Sequence, residues 1–187
     1  MLKTRKSFIW RSATAAAATA LVGVAGAGAA LPASADDDGG HKTTEIFRGD
    51  LQDLATSQSD PFEGASAKVR MAWHDGHTRF VLRVWDIDTS AEGDSYGAHL
   101  HEGPCVEGDP DAAGPHYNVS KADPKKVNDR TEVWLDFTVE DDGTGYAVAR
   151  VPFVPKPGDR SVVIHQESTD PDTGLAGTRL ACLPVEW

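Results

Sequence analysis

Apolar and polar residues alternate with a period of two along most of this chain, and that period predicts strands. Val69, Met71 and Trp73 interleave with Arg70, Ala72 and His74; after Asp75-Gly76, Phe80, Leu82 and Val84 interleave with Arg79, Val81 and Arg83. An Asp-Gly step between two such runs signals a hairpin, because the two-residue turn needs positive φ and glycine supplies it freely. Val133, Leu135, Phe137 and Val139 alternate with Glu132, Trp134, Asp136 and Thr138, and Asp142-Gly143 turns that run into residues 146–151. Further strand-like runs cover 45–52, 96–101, 161–166 and 178–185. About eight short strands and no amphipathic helix predict an all-β fold, an antiparallel sandwich or barrel.

Two stretches break the period. Residues 102–130 carry Gly103-Pro104, Asp109-Pro110, Gly114-Pro115 and Asp123-Pro124 and read as one long loop. Residues 167–177 form a second, shorter one. Loops beyond about 12–15 residues inside a compact domain are commonly functional.

The first 35 residues follow a different rule. Lys3, Arg5, Lys6 and Arg11 head an Ala-rich apolar stretch that ends in Ala33-Ser34-Ala35, with no acid anywhere in it. This is the layout of a secretory signal peptide cleaved after Ala35, so the protein is expected to be secreted, whether free, periplasmic or wall-associated. Residues 36–44 then form a polar, flexible lead-in, and residues 45–187 form one β domain. Without the four cations of the leader, 14 Lys and Arg stand against 29 Asp and Glu, a net charge of −15. A surface of that sign repels nucleic acid and anionic lipid, and no later apolar run is long enough to span a bilayer. The chain has two cysteines, Cys105 and Cys182. An even count in an exported chain favours a disulfide; two free thiols are the alternative.

Candidate chemistry centres on four of the seven histidines. His99-Leu100-His101 places two imidazoles on one side of a strand, an arrangement that suits copper or zinc. Cys105 follows four residues after His101 and would tie the next loop, which carries His116, to the last strand at Cys182. His165 ends the apolar run Val162-Val163-Ile164, where a buried, hydrogen-bonded histidine is the plainer reading. His41 lies in the lead-in and has no partner, while His74 and His77 flank the predicted hairpin turn, where a weak second metal site is the alternative to simple exposure. Asn118-Val119-Ser120 fits a glycosylation acceptor pattern.

Four blocks resemble the copper/zinc superoxide dismutases, and in that family's order. They are Gly97-Ala98-His99-Leu100-His101-Glu102-Gly103-Pro104-Cys105, Ala113-Gly114-Pro115-His116-Tyr117-Asn118, Val162-Val163-Ile164-His165, and Gly174-Leu175-Ala176-Gly177-Thr178-Arg179-Leu180-Ala181-Cys182. The resemblance implies an eight-stranded Greek-key barrel with a metal on its outer face. It implies His99, His101, His116 and His165 as copper ligands, Arg179 as the cation that guides superoxide, and Cys105–Cys182 as a structural disulfide. Family members pair through different barrel faces, so a homodimer is allowed with no face marked for it. The expected activity is conversion of superoxide to hydrogen peroxide and oxygen. The alternative is a dismutase-like copper-binding or structural secreted protein with little turnover.

One departure bears on the metal. The family's zinc site uses the counterpart of His116 together with two more histidines and an aspartate downstream, yet no histidine lies between His116 and His165. Asp123, Asp129 and Asp136 are present, but carboxylates beside a single imidazole make a poor zinc site. The stretch from His165 to Arg179 is also shorter than the family's charged guiding loop. Both features resemble the copper-only branch, so copper is expected and zinc is not, and His116 would need a proton where zinc is normally bound.

Overall fold

In this computed structural model the described residues are 43–57, 59–122 and 124–187. The signal peptide read at 1–35, the lead-in up to residue 42 with His41, and Asp123 lie outside them.

The hairpin predicted around Asp75-Gly76 forms between β3 (Ser66–His74) and β4 (His77–Trp85). Asp75 and Gly76 have φ of 50° and 74°, the two positive values of a type I′ turn, whose twist matches that of the flanking strands. Ala67, Val69 and Met71 on β3 and Phe80, Leu82 and Val84 on β4 point inward and are buried. This pair is the middle of a four-stranded sheet closed by β1 (Thr43–Asp50) and β8 (Gly145–Val151), in the order β1-β3-β4-β8. A second sheet holds β2 (Gln52–Asp53), β10 (Arg179–Glu186), β9 (Asp159–His165) and β6 (Ala98–His101), in that order. Every ladder is antiparallel. The core lies between the sheets and includes Met71, Phe80, Leu82, Leu100, Leu135, Ile164 and Leu183. Removing each such side chain from water contributes about 1.5–3 kcal/mol. Among the described residues no helix is long and apolar enough to cross a membrane.

Three expectations need correction. First, the two sheets remain separate, so the fold is a sandwich and not a closed barrel. The run 133–139 was the strand that could have helped close it. Val133, Leu135, Phe137 and Val139 are all buried as the alternation requires, yet only β7 (Phe137–Thr138) joins a ladder, with β5 (Ser95–Tyr96). Upstream of it, Glu132 turns its carboxylate to His116 and Trp134 donates its indole N–H to that carboxylate, and the backbone meets β6 through separate bonds such as Leu135 N–H to the Ala98 carbonyl at 2.7 Å. Second, the run 96–101 is broken at Gly97, where the chain passes from β5 to β6. A Cβ there would stand 2.7 Å from Ala176 Cβ and 2.8 Å from the Glu167 carbonyl oxygen, so only glycine allows the segment 167–177 to lie this close. Third, Thr43 and Thr44, placed in the lead-in, already pair with Trp73 and Ala72, as suits β-branched residues opposite an available strand edge.

The predicted long loop holds, with one 3-10 turn at Pro110–Ala113. It folds back along β6: the Gly103 amide donates to the Ala113 carbonyl at 2.8 Å and the Tyr117 amide to the Leu100 carbonyl at 2.8 Å. A Cβ on Gly103 would sit 2.2 Å from the Ala112 carbonyl oxygen, so this return also depends on a missing side chain. The result brings His116 opposite His101.

Candidate metal centre

The alternation of β6 sends His99 and His101 to one side, and both are fully buried. His165, at the end of β9, is 3% exposed, and His116 reaches in from the returning loop, half-buried. One ring nitrogen from each of these four histidines lies within 4.8 Å of all the others. No other group of three or more potential ligands occurs among the described residues.

Each ring is oriented by a bond through its other nitrogen. His101 Nδ1 lies 3.0 Å from the Gly114 carbonyl, and His165 Nδ1 lies 3.3 Å from the Gly177 carbonyl. A carbonyl only accepts, so both Nδ1 atoms carry the proton and both Nε2 atoms keep a free lone pair. His116 Nδ1 faces the Glu132 carboxylate at 3.1 Å and is a donor for the same reason. His99 Nε2 stands 2.6 Å from the Thr169 hydroxyl, which itself donates to Asp136 at 2.6 Å. The hydroxyl is therefore the acceptor for His99, and the His99 Nδ1 is left without a proton. That atom is the one buried side-chain nitrogen or oxygen without a hydrogen-bond partner among the described residues. The Nε2 atoms of His101 and His165 face each other at 3.2 Å, two acceptors with no proton to share. Orphaned and opposed lone pairs are unfavourable unless a cation lies among them. Four imidazoles with second nitrogens held in this way fit a copper or zinc ion.

Burial keeps three of the rings, His99, His101 and His165, neutral. Burial pushes His165 down to about 4, with the neighbouring His116 and Arg179 adding to the effect. His99 and His101 are also held far below the usual histidine range, first by burial and then by the other rings. For Glu132, burial alone would raise the pKa, but hydrogen bonds from His116, Trp134 and Asn118 together outweigh it and hold the carboxyl ionised. A consequence follows for the metal-free protein. The unfolded chain takes up protons on these rings below about pH 6.5, while the folded chain refuses them until lower pH. Stability is therefore complete above that value and falls as the pH drops toward 4, by about 1.4 kcal/mol per pH unit for each ring. Thermal melts of the metal-free protein between pH 7.5 and 4.5 should show this decline, and bound metal should displace it to lower pH.

Arg179 opens β10 directly opposite His165. Its guanidinium donates to the carbonyls of Pro110 and, at 2.7 Å, Gly114. Gly114 thus receives both Arg179 and His101, linking the cation to the ligand set. Cys105 and Cys182 form a disulfide with a Cα–Cα distance of 5.7 Å, which ties the His116 loop to the last strand.

The remaining sequence candidates supply no further ligand to the centre. His74 and His77 pair across the hairpin end and are exposed, with Asp75 as their hydrogen-bond partner and no third ligand. Asp136 holds Thr169, and Asp129 is exposed. Asn118 donates to Glu132 at 2.8 Å and to the Lys126 carbonyl, so its amide has a structural use. Glu132 and Thr169 were missed. An acid at an alternate position of a run predicted to be a strand reads as solvent-facing, and a threonine in a loop carries no signal at all. Only the fold shows that each holds a ring.

These observations define a β-sandwich in which three histidines of one sheet and a fourth from the returning loop are positioned to bind a metal ion. The family model for copper/zinc superoxide dismutase (SODC) matches residues 65–183, and the chain belongs to that family. No curated protein matches it in sequence. Among solved structures, the crystal structure of the clock protein EA4 is similar, with a TM-score of 0.50 and 18% identity over 79% of this chain and 99% of that one. At that identity the likeness is one of fold.

Proposed function

We propose that this chain is an exported superoxide dismutase that works with copper alone. The observation that carries the reading is the set of four free imidazole lone pairs directed at one point, each fixed by a bond on the far side of its ring. The reaction converts two superoxide ions and two protons into oxygen and hydrogen peroxide. Copper, when bound at His99, His101, His116 and His165, supplies one-electron exchange between its two oxidation states.

The protein's own part is to hold, attract and protonate. Gly114, Gly177, Thr169 and Glu132 fix the ring orientations, so the donor set is ready before an ion arrives. The Arg179 guanidinium beside the rings offsets the charge of an approaching anion, in a chain whose overall charge opposes it. Glu132 accepts from His116 Nδ1, the ring nitrogen that faces away from the other three histidines. It keeps the Nδ1 proton in place, so that Nε2 is the atom that binds metal or takes up a proton. This supports a centre that functions without zinc.

The test is to load the protein with copper and follow superoxide decay by pulse radiolysis. Decay should be faster than with an Arg179→Ala, copper-free control; an equal rate would reject the enzyme. Metal analysis after dialysis should find copper, and one retained zinc per chain would reject the copper-only form. Glu132→Gln removes the charge and one acceptor oxygen, and should lower turnover about 10- to 100-fold, the usual cost of losing a partner behind a metal ligand. The copper electron-paramagnetic-resonance spectrum should change with it. An unchanged spectrum and rate would show that Glu132 does not act through His116.

A further inference from the structure

The outer face of the sheet β1-β3-β4-β8 carries six cations: Arg48, Lys68, Arg70, Arg79, Arg83 and Arg150. Arg48, Lys68 and Arg83 stand directly opposite one another across three strands, and Arg79 stands opposite Arg150. Like charges in facing positions destabilise a sheet. Asp50 accepts from Ser66, Asp129 lines the groove beside Arg70, Arg79 and Arg150, and none of the six cations lies within 4.0 Å of a carboxylate among the described residues. In a chain of net charge −11 this concentration is a local inversion of sign.

The cations are also held in place. Arg48 lies over the Trp85 ring at 5.0 Å and Arg83 over the Tyr146 ring at 5.5 Å. Two shallow grooves of about 530 and 610 Å³ lie on the face and adjoin at Arg70 and Arg79, which line both. Trp85 and Tyr146 line one groove, while Trp73 borders the other from the inward side of β3, where it packs against the core. Two adjoining grooves suit a linear chain better than a bilayer. Guanidinium forks suit oxyanions, and aromatic rings beside them suit the flat faces of sugars.

We propose that this face binds an anionic polysaccharide, the polyanion an exported protein would meet. The site lies on the sheet opposite the histidine centre and does not depend on the copper reading. Dextran sulfate is the probe, with neutral dextran, oligo(dT) and phosphatidylglycerol vesicles as comparisons. Titration at about 50 mM NaCl should show binding to dextran sulfate and none to neutral dextran, weakening at least tenfold by about 200 mM as counterion release requires. The triple variant Arg48→Gln/Arg70→Gln/Arg79→Gln should lose about tenfold in affinity or more, while Lys121→Gln/Lys125→Gln/Lys126→Gln, with the same charge change elsewhere, should stay within about twofold. If the first triple fails to fold, the exposed single variant Arg150→Gln should still lose about threefold. Equal losses in the two triples, no binding of dextran sulfate, or tighter binding of oligo(dT) or the vesicles would overturn the proposal.

Discussion

Exchange of His101 for alanine should abolish the rise in melting temperature that copper gives the native chain. A ligand present at about a thousand times its dissociation constant stabilises the folded state by about 4 kcal/mol. In a domain of this size that corresponds to about 10 °C. His101 is fully buried, supplies one of the converging lone pairs, and is positioned by Gly114, so no side chain nearby can replace it. The metal-free variant is informative as well. Alanine leaves a cavity, but it also removes the opposition of two lone pairs at 3.2 Å between His101 and His165. The metal-free protein should therefore lose less than the 2–5 kcal/mol typical of a large apolar truncation, or about half that range. Calorimetry with and without copper reads both effects. A variant that keeps the full copper-dependent rise would show that His101 lies outside the site.

The second large effect should come from the pair Cys105→Ser and Cys182→Ser. The disulfide spans 77 residues. On the chain-entropy account, closing a loop of that length stabilises the fold by about 4 kcal/mol. Cys182 is completely buried beside Leu54, Ala113 and Val163, so two hydroxyls in place of sulfur add a desolvation cost. The loss should also reach the metal. Cys105 anchors the loop that delivers His116, which is otherwise held by hydrogen bonds such as those from Arg179 to Pro110 and Gly114 and by the packing of Ala113. Melts should drop by about 10 °C or more, and copper affinity should fall in step. Reduction of the native protein should reproduce both changes; a reduced protein with unchanged melting and copper affinity would mean that packing alone holds the loop.

Much of the fold was legible because its rules are local. The Asp75-Gly76 hairpin follows from two residues able to take positive φ between alternating runs, and it formed with the predicted inward residues Val69, Met71, Phe80, Leu82 and Val84 buried, while Trp73, also predicted inward, is only half-buried near the turn. The failure at 133–139 has the opposite cause. The alternation there is real and all four apolar residues are buried, but alternation reports which side chains turn inward and not whether a neighbouring strand is present to complete a ladder. The same limit accounts for the barrel that proved to be a sandwich: edge closure depends on how strands far apart in sequence meet.

The centre divides along the same line. His99 and His101 could be placed together from spacing, since a strand repeats every two residues. His116 and His165, 49 residues apart, entered through the family resemblance, because no local rule relates a loop to the end of a distant strand. What the sequence by itself determined, then, was the strand period, the turn, the shared side of two histidines and the lack of a histidine partner between His116 and His165. Only the tertiary structure decided which nitrogen of each ring is free. That choice belongs to Gly114, Gly177, Thr169 and Glu132, and of these none is next to its ring in the chain. A proton's position on an imidazole is set by the acceptor it meets in space, and the sequence does not specify that meeting until the sheets have folded.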